Sequence, residues 1–224
     1  MNRFCFALLM IMLPCQVLAG AWPRERGSTF LSFSTLITTP SDAIGDDLSS
    51  TPSIYVERGG RRDLTFGLDA QMSFDGDYSA FVFVRKPVAQ RFDTHRFAVL
   101  AGAGVSTSAN DSELILRLGA AWGKGLKLNS LSGWAAVDAT ADYQTETGEV
   151  ALKADLTLGL KPSEKTKLIL QFQSGDYPGS DPYLRAAPSV VLQVGEGRHL
   201  ELGVQVGLKG DDRVGLKMGT WLEF

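Results

Sequence analysis

The chain has 224 residues, with 22 basic and 25 acidic side chains and a formal net charge of −3 at pH 7. That balance offers no electrostatic footprint for nucleic acid. Its two cysteines, Cys5 and Cys15, both lie near the N-terminus, so disulfides, thiolate catalysis and zinc–cysteine sites are excluded from everything beyond them.

The N-terminus comes first. Arg3 supplies a short positive start, Phe4 to Leu13 is apolar, and Val17-Leu18-Ala19 places a small residue where a signal peptidase needs one. The expectation is a signal peptide over 1–19, cleaved after Ala19, with Ala21 as the fallback. The apolar run is too short to cross a bilayer as a helix. Leu13-Pro14-Cys15 fits a lipoprotein signal badly, because proline directly precedes the cysteine. Removing 1–19 deletes Arg3 and no acid, which leaves 21 basic against 25 acidic residues. Residues 20–224 contain no linker or composition break and are expected to form one domain. They also lack a run of about 18 apolar residues, so no transmembrane helix is available.

Strands are expected near 28–38 and 52–58. Residues 63–74 then alternate cleanly: Leu64, Phe66, Leu68, Ala70, Met72 and Phe74 share one face, and Asp63, Thr65, Gly67, Asp69, Gln71 and Ser73 the other. A helical period would scatter the aspartates among the apolar residues. Less regular strands are expected near 78–86, 96–106 and 113–122, and an alanine-rich one over 131–143. Val150 to Leu160 repeats the alternation, with Lys153, Asp155, Thr157 and Gly159 on the polar side. Strands near 166–174 and 184–194 follow, and His199 to Leu208 alternates again. Gly59-Gly60, Asp75-Gly76-Asp77, Asn110-Asp111, Gly123-Lys124-Gly125, Pro162-Ser163, Gly195-Glu196-Gly197 and Gly210-Asp211-Asp212 supply turns between them.

With the tail Val214 to Phe224, the total is about twelve strands, within a range of ten to twelve. An even number of strands, each about nine to eleven residues long, describes an all-β, closed, antiparallel up-and-down transmembrane barrel. The competing architecture is a soluble periplasmic lipocalin-like barrel with its apolar face inward. Glycine on the polar face argues against it: Gly67, Gly159, Gly203, Gly207, Gly215 and Gly219 would weaken solvent-exposed strands but suit a crowded lumen. Aromatics in the apolar register also gather at strand ends (Phe74, Tyr78, Phe97, Trp122, Tyr143, Phe224), as interfacial girdles do.

In the tail, Val214, Leu216, Met218, Thr220, Leu222 and Phe224 alternate with Gly215, Lys217, Gly219, Trp221 and Glu223. This dyad ending in an aromatic resembles the closing strand of small Gram-negative outer-membrane β-barrels. Tyr55-Val56-Glu57-Arg58-Gly59 followed by Leu64-Thr65-Phe66-Gly67-Leu68 is similar to hairpins of uncharacterised proteobacterial members of that class. The resemblance implies location in the bacterial outer membrane, contact with its lipid and lipopolysaccharide, and an assembly signal in Trp221, Leu222 and Phe224 read by the barrel-assembly machinery. It implies no activity, since fold alone does not give function.

The candidate functional residues are the polar-face charges, expected to line the lumen: Asp63, Asp69, Arg117, Asp138, Asp142, Lys153, Asp155, Glu201, Lys217 and Glu223. Lys or Arg facing lipid at mid-bilayer costs roughly 2–4 kcal/mol, so stability alone sorts charge inward. Pairing of Lys153, Lys217 and Arg117 with Asp155, Glu201 and Asp69 would plug a narrow bore; left open, the same residues would line a solute path. His95 and His199 both fall in turns on the periplasmic side, away from the outer leaflet where a lipid-modifying enzyme would work. Asp93 and His95 read as solvated turn residues. Neither catalytic, cofactor nor metal residues are assigned. Gly102-Ala103-Gly104 lacks the third glycine of a dinucleotide loop, and Gly119 to Lys124 is too short for a phosphate loop. The acidic loop residues Asp42, Asp46, Asp47, Asp176 and Asp181 read as solvated rather than as a divalent-ion bridge to lipopolysaccharide. Three functions remain: a passive channel or small-solute transporter, a structural barrel with a polar-plugged lumen, and, least supported, an outer-membrane lipid-modifying enzyme.

Overall fold

A computed structural model describes residues 20–74, 76–91, 94–108 and 111–224. The signal peptide over 1–19, Asp75, Asp93 and Asn110 lie outside the described residues. Twelve strands follow in chain order: β1 (Thr29–Pro40), β2 (Ser49–Gly59), β3 (Thr65–Met72), β4 (Tyr78–Arg91), β5 (His95–Ser108), β6 (Asp111–Leu128), β7 (Leu131–Gln144), β8 (Val150–Ser163), β9 (Thr166–Asp176), β10 (Tyr183–Gly195), β11 (Arg198–Lys209) and β12 (Arg213–Glu223). Each pairs antiparallel with its chain neighbours, and β12 returns to β1 to close the barrel. Closure runs from Phe30 opposite Glu223 to Pro40 opposite Arg213. Phe224 extends it, donating its N–H to the Thr29 carbonyl and accepting from the Thr29 N–H. No edge is left to expose backbone groups.

Alternation gives the barrel two unlike faces. Phe66, Val82, Leu118, Leu156, Leu202, Val204 and Leu216 belong to a set of large apolar side chains exposed on the outer face. The inner face carries Glu57, Arg85, Lys167, His199, Glu201 and Gln205, all buried. Apolar outside and polar inside is the reverse of a soluble lipocalin-type barrel. Phe74, Tyr78, Phe97, Tyr143 and Phe224 are exposed and take the outer register near the rims.

Several boundaries differ from the alternation pattern. Gly123-Lys124-Gly125 is not a turn; β6 continues through it to Leu128, held by pairing with β7. The connection is Asn129-Ser130, with Asn129 at φ 54°, a left-handed value that asparagine tolerates. Pro162-Ser163 lies within β8, and the turn falls at Glu164-Lys165. β4 runs past 86 to Arg91 with a register shift between Pro87 and Ala89, because proline has no N–H for the ladder. β3 begins at Thr65, later than expected. Arg62 and Asp63 adopt φ 57° and 59° in the turn closed by the Gly60 N–H to the Leu64 carbonyl.

The start of β1 and the end of β12 lie at one rim, here the near rim. Connections at the far rim stay short, and the longest, 41–48, is folded on itself: Thr39 Oγ1 donates to the Asp46 carbonyl and accepts from the Gly45 N–H. Loops of this size form no large surface of their own.

Candidate functional site

The interior is a set of paired charges cushioned by aromatics, arranged in three zones. Nearest the near rim, Tyr55 and Glu57 of β2 project inward beside Phe83 and Arg85 of β4, as period two requires. Glu57 accepts from Arg85, from Arg24 Nε at 2.7 Å and from the Tyr55 hydroxyl at 2.6 Å. A carboxylate with 4% of its side chain exposed needs such full satisfaction, since desolvation otherwise outweighs the Coulombic gain. Arg24 also lies 4.5 Å over the Phe30 ring. Phe30 packs edge-on against Trp221, and His199 and Lys167 stand beside that indole. Lys167 Nζ and His199 Nε2 are 3.3 Å apart.

Room for these rings comes from the inward glycines. The Phe83 ring lies over Gly67 and the Trp134 ring over Gly159, each where a Cβ would collide with ring carbons. At Gly67 and Gly159 the polar-face glycine noted in the sequence is therefore the space that luminal aromatics occupy.

In the middle zone Asp138 faces Asp155 directly across the β7–β8 ladder, and Lys153 lies 3.4 Å from Asp155. On the opposite wall Lys217 bridges to Glu201 at 3.0 Å, and Glu201 also accepts from Trp221 Nε1 at 3.1 Å. Toward the far rim Arg117 forms a fork on Asp142, with Nε and Nη2 each 2.7 Å from an oxygen. It also reaches Asp69 at 3.4 Å across the bore and stacks 3.6 Å over Phe81. Arg185 pairs with Asp211, Arg213 binds Asp47 at 3.0 Å, and Tyr177 stacks on Tyr183.

Of the candidate residues, Asp69, Arg117, Asp138, Asp142, Lys153, Asp155, Glu201, Lys217 and Glu223 take inward register positions. Asp63 does not: its left-handed turn conformation holds it exposed outside β3. His199 is not a turn residue either, but a buried member of β11. His95 opens β5 and its Nδ1 accepts from Trp122 Nε1 at 3.1 Å, so it is not merely solvated. Neither histidine meets a serine with an orienting carboxylate, the arrangement that acyl-transfer chemistry needs. Among the described residues, no three His, Cys, Asp or Glu side chains converge as metal ligands.

Sequence reasoning missed Tyr55, Glu57, Arg85, Lys167 and Arg24. Glu57 and Arg85 were within reach, since Tyr55/Glu57 and Phe83/Arg85 each share a face at period two. No periodic signal marks Arg24. It belongs to the segment 20–28, which enters the near mouth: Ala21 is wholly buried against Ala98 and Ala121, and the Trp22 ring covers Gly123. Arg24 N–H donates to Thr65 Oγ1 at 3.1 Å, and Arg26 bridges in parallel to Gly59.

No protein-family model and no curated protein sequence matches the chain. Solved structures do. The KdgM porin in complex with disordered oligogalacturonate superposes at TM-score 0.60 and 5% identity, over 86% of this chain and 99% of that one. An outer-membrane channel from Pseudomonas putida F1 gives 0.59 and 11%, over 93% and 100%. The NanC porin gives 0.57 and 11%, over 86% and 98%. At these identities the likeness concerns architecture: this twelve-stranded closed barrel shares its fold with porins and channels of the bacterial outer membrane.

Proposed function

We propose that the chain is a passive outer-membrane channel for small polar solutes, seated with its termini in the periplasm and its bore narrowed by its own paired charges. One observation carries this reading. An apolar outer face encloses a polar inner face of neutralised pairs, in the architecture of known porins and channels. An anionic sugar chain such as the one in the KdgM complex would call for a basic excess along the bore. Here Arg85, Arg117, Lys153 and Lys217 each have an acidic partner. Neutral or zwitterionic solutes fit that field better. The burial of Phe30, Glu57 and Trp221 favours a second reading, a structural barrel plugged near its periplasmic mouth.

Planar-bilayer recording separates the two. The wild-type barrel should show small, stable ion steps. Replacing Glu57→Ser and Arg85→Ser together removes one charge of each sign and should enlarge them. Silence of both proteins across voltages would remove the channel reading and leave the plugged barrel.

A further inference from the structure

The segment that enters the near mouth ends on a carboxylate pair. Gly20 lies so close to Asp138 that an added Cβ would run into Oδ1, Cγ and Oδ2. Tetrahedral geometry at Cα then puts the Gly20 nitrogen no farther than about 4 Å from Oδ1. Asp155 stands opposite Asp138, and its own Oδ1 is buried without a partner among the described residues. Two carboxylates facing one another in a filled bore repel, and a nearby cation relieves them. Lys153 serves Asp155, while Arg85, itself engaged with Glu57, acts on Asp138 from the facing wall.

We infer that removal of residues 1–19 frees the Gly20 α-amine, and that the resulting ammonium docks on Asp138 inside the barrel, beside Asp155. The inference rests on the signal-peptide reading and not on the channel reading. Before processing, residue 20 offers a neutral amide N–H; afterwards it carries a full positive charge, and charge-assisted hydrogen bonds to carboxylate are the stronger kind. The rest of the segment holds the amine in place, through buried Ala21, Trp22 on Gly123, and Arg24 on Thr65 and Glu57. Glycine is the residue this seat accepts, because a side chain would strike the Asp138 carboxylate. Maturation thereby turns the leading residues into an internal strap across the mouth.

The test uses the purified mature barrel in detergent. Intact mass and N-terminal sequencing should show that the chain begins at Gly20. With an amine-selective acylating reagent at neutral pH, read by mass spectrometry, the α-amine should react about tenfold more slowly in the folded barrel than after unfolding, the scale of one charge-assisted hydrogen bond. Asp138→Asn should abolish that protection. Gly20→Ala should do the same without altering the barrel wall, and retained heat-modifiable migration would confirm that this variant is folded. A different first residue, fast acylation of the folded wild type, or unchanged protection in both variants would overturn the inference. A protected amine in a barrel that conducts no ions would uphold it while removing the channel reading.

Discussion

Asp155 and Leu156 are neighbours in the chain and face different solvents, and this is the residue-scale principle of the molecule. Leu156 is exposed on the outer face; Asp155 points into the bore, opposite Asp138 and Gln173. Leu156→Arg should therefore lower folding stability in bilayers by about 2–4 kcal/mol, the cost of a cation among lipid chains. Gln173→Arg lies at nearly the same height but inward, where the new guanidinium meets the unpartnered Asp155 oxygen. It should cost well under half as much. Equal penalties in urea titrations of vesicle-folded protein would reverse the face assignment. At this scale the sequence was readable wherever apolar and polar residues alternate strictly, as around Asp69, Asp155 and Glu201. It was harder to read at Glu57 and Arg85, where the period of two is present but Pro52, Tyr55 and Arg58 in β2, and the phenylalanines of β4, blur the contrast between the faces. Asp63 shows the opposite error: it continued the alternation, but a left-handed turn had already ended the strand.

At the scale of elements, tertiary pairing outweighed local turn chemistry. Gly123 and Gly125 punctuate a sequence, yet each sits in a ladder whose partner strand keeps it extended, and Pro162 is carried within β8 at a register shift between Leu160 and Ser163. The number of strands was legible because every strand buries or exposes a whole face. Their ends were not, since the last few pairs are set by the neighbour's length. β12 shows how little a terminal residue can matter to the finished fold. It shares eleven paired positions with β1, whereas Phe224 adds only its reciprocal pair of hydrogen bonds with Thr29. Deleting Phe224 should lower refolding yield in detergent or lipid only modestly. If the exposed terminal ring is read during assembly, as its resemblance to closing strands implies, the amount inserted in cells should fall several-fold more. The check is quantitative blotting of outer-membrane fractions beside in-vitro refolding yields. Equal losses in the two assays would reduce the terminal dyad to a structural alternation.

For the whole molecule the governing fact is closure, and closure was legible only in outline. Alternation predicts sheets, and an even strand count predicts termini at one rim. Nothing periodic predicts that residues 20–28 turn back into the mouth, because their seat is assembled from β2, β3, β5, β6 and β7 together. Such a seat exists only once the ring is complete. The same cooperativity sets the stability: breaking one seam of a closed barrel in hydrocarbon leaves a row of N–H and C=O groups unsatisfied, at several kcal/mol each, so partial opening is strongly disfavoured. The paired interior adds to this, since Glu57 with Arg24 and Arg85, and Arg117 with Asp142 and Asp69, tie together strands that are not all neighbours. A barrel held in this way should resist cold detergent and unfold only on boiling. The protein should accordingly fractionate with the outer membrane and migrate faster in unboiled than in boiled samples on a denaturing gel. Recovery from the soluble periplasm with identical migration in both would mean that the exposed leucines and valines meet something other than lipid, and the membrane reading of the outer face would fall with it.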